Sequence, residues 1–160
     1  MDTIIKAKKG NKKAIKQIVK ENIIQVYRLI FLHTKYEEDA KNILRDTIDF
    51  IYENFSKVDN EKFILWMYKI AIINTNNFLK CNGMVEKNNS LNNYYYNNKI
   101  KMYESIDLLD LKYRNVVILR CYFELSYDEI GYILDLNNDT VKIYFRQSLK
   151  NLKLNVGEDL

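Results

Sequence analysis

The chain has 160 residues, enough for one domain or two small ones, and its hydrophobic fraction of 48% can fill a core. The net charge is only +4, but residues 1–20 hold seven lysines against one acid and residues 35–61 hold eight acids against four bases. This asymmetry favours separate surfaces for an anion and for a basic partner. Because no apolar run could span a membrane and no secretory signal is visible, we expect a cytoplasmic protein without membrane insertion.

Residues that could carry chemistry are few. Cys81 and Cys121 are far apart and lack metal-ligand spacing, so we expect two reduced thiols. His33 is the only histidine, and without other ligands near it we expect a helix residue with no chemical role. No acid-base pair, nucleophile constellation, metal cluster or glycine-rich phosphate loop is visible. The sequence therefore predicts a protein that is not an enzyme and has no cofactor and no metal.

The first half of the chain predicts helices. Gly10 and Asn11 end a short first segment, and apolar residues at helical spacing predict helices over 12–34 and about 37–54. In the second of these, apolar positions recur on one side: Ala40, Ile43, Leu44, Thr47, Ile51 and Phe55. Roughly opposite lies a stripe of acids with one amide: Asp39, Asn42, Asp46, Asp49 and Glu53. This stripe is either a solvated face or a docking surface for a basic protein.

The segment 61–80, EKFILWMYKIAIINTNNFLK, predicts a third helix with apolar residues on both sides. At 100° per residue, one broad arc suits a core: Ile64, Met67, Tyr68, Ala71, Ile72, Phe78 and Leu79. The opposite arc mixes an aromatic ring, aliphatic side chains and cations: Trp66, Ile70, Ile73, Lys69, Asn77 and Lys80. A face that only meets water does not need such a mixture.

The stretch over 82–98, NGMVEKNNSLNNYYYNN, is rich in asparagine and poor in periodic apolar residues. It predicts a flexible linker, although its tyrosine run could instead dock on another surface. We therefore expect an all-α fold of two small helical domains, 1–81 and 103–160, joined by a flexible linker over 82–102.

The last quarter of the chain has the most specific pattern. Ser126 and Glu129 form a capping box that opens a short helix with the core residues Tyr127, Ile130, Ile133 and Leu134. The letters DLNN predict a turn, after which Asn137 or Asn138 caps a helix over 140–152. Its expected buried stripe is Val141, Phe145, Ser148, Leu149 and Leu152, and its basic stripe is Lys142, Arg146, Lys150 and Lys153. This pattern indicates a helix-turn-helix with its recognition helix, or else an ordinary helical hairpin with a solvated charged face.

Four segments resemble, in order and spacing, a bacterial RNA polymerase sigma factor of the extracytoplasmic-function type. They read AKKGNKKAIKQIVKENIIQVYRLIF, DAKNILRDTIDFIYENF, FILWMYKIA and YRNVVILRCYFELSYDEIGYILDLNNDTVKIYFRQSLKNL. The resemblance implies a sigma region 2-like helical bundle followed by a region 4-like helix-turn-helix. It also implies a factor that binds core RNA polymerase, through the clamp helices and the flap, and directs initiation at promoter DNA. The −35 element would be bound as duplex and the −10 element melted, and an anti-sigma factor is a possible further partner.

The resemblance also assigns residues to partners. Core polymerase is expected at Asp39, Asn42, Arg45 and Asp46, and at Asp49 on the same stripe. The melted −10 element is expected at Trp66, Lys69, Ile73, Asn77 and Lys80, with 55–62 as the loop for a flipped base. The −35 element is expected at Thr140, Lys142, Ile143, Arg146 and Gln147, together with Lys150 of the basic stripe. The sequence departs from the family at Asn42, Arg45, Ile72, Ile73 and Asp139, where the family usually has an acid, a glutamine, a polar pair and a small residue.

Two other functions fit the same residues. One is a helix-turn-helix transcriptional regulator that binds duplex DNA on its own, and the other is a sigma-like interaction adaptor whose acidic stripe docks a partner. Neither would act as a polymerase subunit. Co-purification with core polymerase followed by runoff transcription distinguishes all three.

Overall fold

The computed structural model describes residues 2–58, 62–82 and 102–156, and all regular structure within these ranges is helical. The predicted all-α fold is therefore confirmed. The chain divides into two compact units, Met1–Asn77 (unit 1) and Phe78–Leu160 (unit 2). Of the predicted linker over 82–102, only the two end residues lie within the described ranges.

Unit 1 contains helices α1 (Asp2–Lys8), α2 (Lys12–Thr34) and α3 (Glu37–Asn54), a 3₁₀ turn at Phe55–Lys57 after α3, and most of α4 (Phe63–Cys81), whose last four residues fall in unit 2. The side-chain oxygen of Asn11 caps α2 by accepting hydrogen bonds from the backbone N–H groups of Lys13 and Ala14. The helix ends at Thr34, and its C-cap residue Lys35 has a left-handed φ of 62°. Three acids in the first turn of α3 complement the positive end of its helix dipole.

The core of unit 1 forms where α2 packs on α1 and α3 and the 3₁₀ turn packs on α1. Its largest fully buried side chains are Val26, Leu29, Ile30, Ile51, Phe55 and Met67. A polar contact ties α3 to α4, because the Asn74 amide donates to the Thr47 hydroxyl at 3.1 Å. His33 is buried, and its Nδ1 lies 2.8 Å from the carbonyl oxygen of Leu29.

Unit 2 contains α5 (Met102–Asp107), α6 (Leu111–Cys121), α7 (Tyr127–Leu134) and α8 (Asn138–Val156). The predicted capping box is present at the start of α7, where Ser126 and Glu129 satisfy each other's backbone N–H groups. Asn137 caps α8 by accepting the Thr140 N–H at 2.8 Å. The other candidate cap, Asn138, instead donates to Asp128 at 2.7 Å and so ties α8 to α7.

The turn between α7 and α8 is closed by a glycine. A Cβ atom at Gly131 would lie 2.5 Å from the carbonyl oxygen of Leu136, a distance that real Cβ contacts do not show. The Leu136 N–H donates to the Gly131 carbonyl at 2.9 Å, and Asp135 takes a left-handed φ of 56°. The absence of a side chain at Gly131 therefore lets the turn approach the back of α7.

Three residues differ from the expected faces. Ile70, expected on the outer arc of α4, is buried, whereas Ile64, expected in the core, is exposed. At 100° per residue, the buried residues of α4 cover an arc of about 200° around the helix axis, with Ile70 at one edge and Ile72 at the other. Ile64 lies in the first turn of the helix. On α8, Leu149 was expected in the buried stripe but is 39% exposed, because it lies at the edge of the face centred on Ser148 and Val141.

Candidate nucleic-acid interface

The outward face of α8 mixes cations with apolar and amide groups. Opposite the buried Val141 and Ser148 lies Ile143, whose exposure is 60%, as the helical spacing predicts. Arg146 and Lys150 are also exposed, and Thr140, Lys142 and Gln147 are half-buried at the margins. The Gln147 amide donates to Asn151 at 2.9 Å, which holds it along the helix. All six residues predicted for the −35 element therefore lie on one helix, outside its buried stripe.

An aromatic ring holds cations along one flank of α8. Tyr127, the first residue of α7, packs against Phe145 with ring centroids 6.2 Å apart. The Arg120 guanidinium lies 5.0 Å from the centroid of the Tyr127 ring, and the Lys142 ammonium lies 6.0 Å from it. Arg120 also donates to the Leu125 carbonyl at 2.8 Å. Tyr127 was predicted only as a core residue, so the sequence reasoning missed its contact with two cations.

A second aromatic cluster supports the other flank of α8. The Tyr113 and Tyr144 rings meet edge to face with centroids 5.5 Å apart, and Lys112 lies 4.8 Å and 5.7 Å from the two centroids. Ser148 donates to the carbonyl of Tyr144 or Tyr113, at 2.6 Å and 3.3 Å. Helix α8 is thus held by α7 on one side and by α6 on the other, which fixes the direction of its outward face.

A buried arginine holds the turn between α5 and α6 in unit 2. Arg114 is 6% exposed and donates to the backbone carbonyls of Asp107 and Leu109 at the end of α5. Burial lowers the pKa of its guanidinium, and the charges of Asp107 and Asp110 act in the opposite direction. This contact fixes the turn between α5 and α6, and no periodicity in the sequence had pointed to it.

The five residues predicted for the −10 element share one side of α4. Trp66, Lys69, Ile73, Asn77 and Lys80 fall within an arc of about 80° at 100° per residue. Ile73, Asn77 and Lys80 are exposed, whereas Trp66 and Lys69 are half-buried. An aromatic ring, an aliphatic side chain and a terminal cation therefore share the outer face of this helix.

An aromatic contact joins α4 to α3. The exposed Phe50 ring and the Trp66 ring have centroids 6.4 Å apart at an angle of 40°. Phe50 follows Asp46 by four residues, so it lies one turn further along at the edge of the acidic stripe. The two surfaces predicted in unit 1 therefore meet at Phe50 and Trp66, a contact that required knowledge of how the helices pack.

The predicted polymerase-binding residues lie on α3, away from its buried side. Asn42, Arg45, Asp46 and Asp49 are exposed and Asp39 is half-buried, while Ala40, Ile43, Thr47 and Ile51 form the core face. An ion pair of 2.6 Å between Glu37 and Lys41 flanks the stripe. The stripe is thus a row of carboxylates with one amide, and the exposed Arg45 lies beside it on the same helix.

The loop expected to hold a flipped base, 55–62, is described only at its ends. Phe55 and Val58 are buried, and residues 59–61 lie outside the described ranges.

In the part of the chain that the structure describes, His, Cys, Asp and Glu side chains form no group of three or more that could hold a metal ion. Among the described helices, none is both long and apolar enough to cross a membrane.

Comparison with known proteins agrees with this geometry. Residues 99–152, which include α7 and all but the last four residues of α8, match the family described as Sigma-70, region 4. The chain is 24% identical over 163 residues to the RNA polymerase sigma factor SigV of Bacillus subtilis, an alignment that covers 97% of this chain and 98% of SigV.

Solved structures show the same fold over both units. CnrH, in complex with the cytosolic domain of CnrY, matches with a TM-score of 0.76 and 17% identity, over 99% of this chain and 97% of the other. The sigma factor RpoE from Bartonella quintana, in complex with the anti-sigma factor NepR, matches with a TM-score of 0.72 and 12% identity, over 92% and 99%. Residues 99–152 thus match a sigma region 4 domain, the chain is similar to the sigma factor SigV over nearly its whole length, and the two solved structures share its fold.

Proposed function

We propose that the chain binds core RNA polymerase in the cytoplasm and directs it to promoters with an upstream duplex element and a downstream melted element. One observation carries this proposal: the region 4 segment presents a capped, buttressed helix whose outward face combines Ile143 with the cations Arg146 and Lys150. Sigma factors are in general not enzymes. For this chain too, nucleotidyl transfer would belong to the polymerase.

In unit 2, α8 would lie in the major groove at the −35 element. Lys150 and Arg146 would neutralise phosphates, which contributes affinity without sequence preference. Ile143 would contact a thymine methyl group, the one apolar feature on a base-pair edge, and Gln147 offers an amide for adenine. Arg120, which lies on the ring of Tyr127 beside Lys142, extends the cationic margin of the helix towards the backbone.

In unit 1, the outer face of α4 would meet the opened −10 element. Unstacked bases offer a flat apolar surface, and an aromatic ring such as Trp66 can stack on any of them. Ile73 adds apolar contact beside it, and Lys80 at the end of the helix provides charge for the backbone. Because Ile73 replaces a polar residue that is usual in the family, the base preference of this face would be its own.

The carboxylates of α3 would dock on the clamp helices of core polymerase, and unit 2 would meet the flap. Opposite charges across such an interface steer association and fix its register. We also propose an anti-sigma partner, because the similar protein RpoE was solved with the anti-sigma factor NepR, and CnrH with the cytosolic domain of CnrY.

Reconstitution tests the proposal. The purified chain is mixed with core polymerase, the complex is isolated by size exclusion, and runoff transcription is measured on linear templates that carry candidate promoters. We expect co-elution and promoter-dependent transcripts. Duplex binding without co-elution would instead identify a separate regulator, and co-elution without transcription would identify an adaptor.

A further inference from the structure

Asp139 is the acid in the first turn of α8. Its side chain is 90% exposed. It does not cap the helix, because Asn137 accepts the Thr140 N–H, and it does not close the turn, because Asn138 binds Asp128. Its one described polar contact is Lys142, whose ammonium lies 3.6 Å from the Asp139 carboxylate. Apart from this ion pair and its position near the positive end of the α8 dipole, the carboxylate has no described role in holding the turn or capping the helix.

Asp139 lies on the same side of α8 as the residues that would face the DNA groove. Asp139, Ile143, Arg146 and Lys150 are spaced by four, three and four residues, so they form one line along α8. This line lies opposite the buried Val141 and Ser148. In a helix-turn-helix the N-terminal residues of the recognition helix contact base edges. Asp139 thus precedes Ile143 by one turn on the same side.

A carboxylate near DNA is repelled by the phosphates, which weakens binding unless a base donates a hydrogen bond to it. In the major groove, cytosine presents its N4 amino group as a donor without an adjacent acceptor on the same base, whereas adenine places the N7 acceptor beside its amino group. A carboxylate, which only accepts, therefore suits cytosine, and an amide suits adenine. The guanine of the same pair presents O6 and N7, which accept from a lysine ammonium.

We propose that Asp139 and Lys142 together read one C·G base pair of the upstream element, with the carboxylate on the cytosine amino group and the ammonium on the guanine. The inference rests on the proposed function and adds a specificity determinant to it. The ion pair offsets the acid's charge when no DNA is bound. Since one helical turn covers one to two base-pair steps, the C·G pair lies next to, or one pair away from, the A·T pair at Ile143.

The test uses the reconstituted holoenzyme and linear promoter fragments with a randomised upstream element, and the bound fraction is sequenced. For the wild type we expect one position with a preference for C·G of roughly tenfold. Asp139→Ala should abolish the preference at that position alone and increase binding to the other sequences, since a negative charge is removed. Asp139→Asn should shift the preference there towards A·T. Glu124→Gln, which removes an exposed acid of unit 2 outside α8, is the control and should leave all preferences unchanged.

The outcomes separate two failures. If Asp139→Ala raises binding equally at every sequence and alters no preference, the carboxylate acts only as a repulsive charge and the base-reading inference is wrong. If the wild-type holoenzyme has no preference at any upstream position, the proposed function of unit 2 fails instead. Far-UV circular dichroism melting of each variant confirms that the compared proteins are folded.

Discussion

The two units hold their candidate surfaces in different ways. In unit 2 the predicted contacts lie on the single helix α8, and polar and aromatic contacts from α6 and α7 fix its direction. In unit 1 the predicted contacts are divided between α3 and α4, which meet through one amide contact and the Phe50 and Trp66 rings. Unit 2 thus presents one helix face in a fixed orientation, and unit 1 presents the faces of two helices.

This difference matches the physical state of the proposed ligands. Duplex DNA is stiff and carries its sequence information in the donor and acceptor pattern of the groove, so a reader must be held in a fixed orientation. Melted strands and a protein partner adapt more readily, and stacking or a charged row tolerates small changes of position. The following predictions test whether the two units depend on these different principles.

The largest expected effect is on polymerase binding through unit 1. Asp46→Lys together with Asp49→Lys would place two like charges against a basic surface, which costs several kcal/mol, so we expect a loss of affinity for core of about a hundredfold. Both side chains are exposed, and folding should be unaffected. Competition with a labelled parent protein for core polymerase measures the loss.

A charge reversal elsewhere provides the control for this prediction. Glu21→Lys changes an exposed acid of α2 by the same charge per residue, outside the stripe. It should compete as well as the parent protein. Equal competition by the double variant would show that the stripe of α3 is a solvated face.

The second expected effect is on the stability of unit 2. Gly131→Ala places a Cβ against the Leu136 carbonyl, so the turn must shift, and we expect a loss of about 2 kcal/mol in the free energy of unfolding. Binding to an upstream duplex should fall while binding to core through unit 1 is largely kept. Urea unfolding and fluorescence anisotropy with a duplex fragment measure the two effects.

Gly10→Ala is the matched variant in unit 1. Gly10 has a φ of 81°, but a Cβ there meets nothing within 4 Å, so only backbone strain of about 1 kcal/mol is expected. A cost for Gly131→Ala no greater than that for Gly10→Ala would mean that the turn is not sterically closed.

The sequence predicted most of this architecture because its signals are local. A capping box needs only Ser126 and Glu129 at the right spacing, and α2 begins at Asn11 because the asparagine itself satisfies the first free N–H groups. The acidic stripe of α3 follows in the same way from periodicity, since the core covers only one side of that helix.

The sequence-based predictions failed where the packing of neighbouring helices determines whether a residue is buried or what it contacts. A helical wheel assumes one core direction, but about 200° of α4 is covered, so Ile70 is buried although the wheel placed it outside. The contacts of Tyr127 with Arg120 and Lys142, and those of Arg114 with α5, join residues whose proximity depends on how three helices pack. No spacing in the sequence encodes that geometry.

A smaller expected effect distinguishes base reading from charge on α8. Ile143→Ser should cost on the order of 1 kcal/mol at one A·T pair and relax the preference there. Lys150→Ala should instead weaken binding to all sequences and reduce the salt slope by about 1. Promoter-variant libraries transcribed with each variant give the comparison. A uniform loss for Ile143→Ser would reduce that residue to a packing role.

The smallest expected effect tests whether the aromatic support of α8 matters for DNA binding. Tyr127→Leu keeps apolar volume against Phe145 but removes the ring that Arg120 and Lys142 share, so both cations lose an orienting contact worth about 0.5–1 kcal/mol at exposed sites. Tyr127→Phe retains the ring and should retain most of the affinity. We therefore expect Tyr127→Leu to weaken duplex binding a few-fold at all sequences, with base preference unchanged except at the C·G pair assigned to Lys142, as measured by anisotropy over a salt series. If Tyr127→Phe weakens binding as much as Tyr127→Leu, the loss of affinity comes from the hydroxyl and not from the contacts of the Tyr127 ring with Arg120 and Lys142.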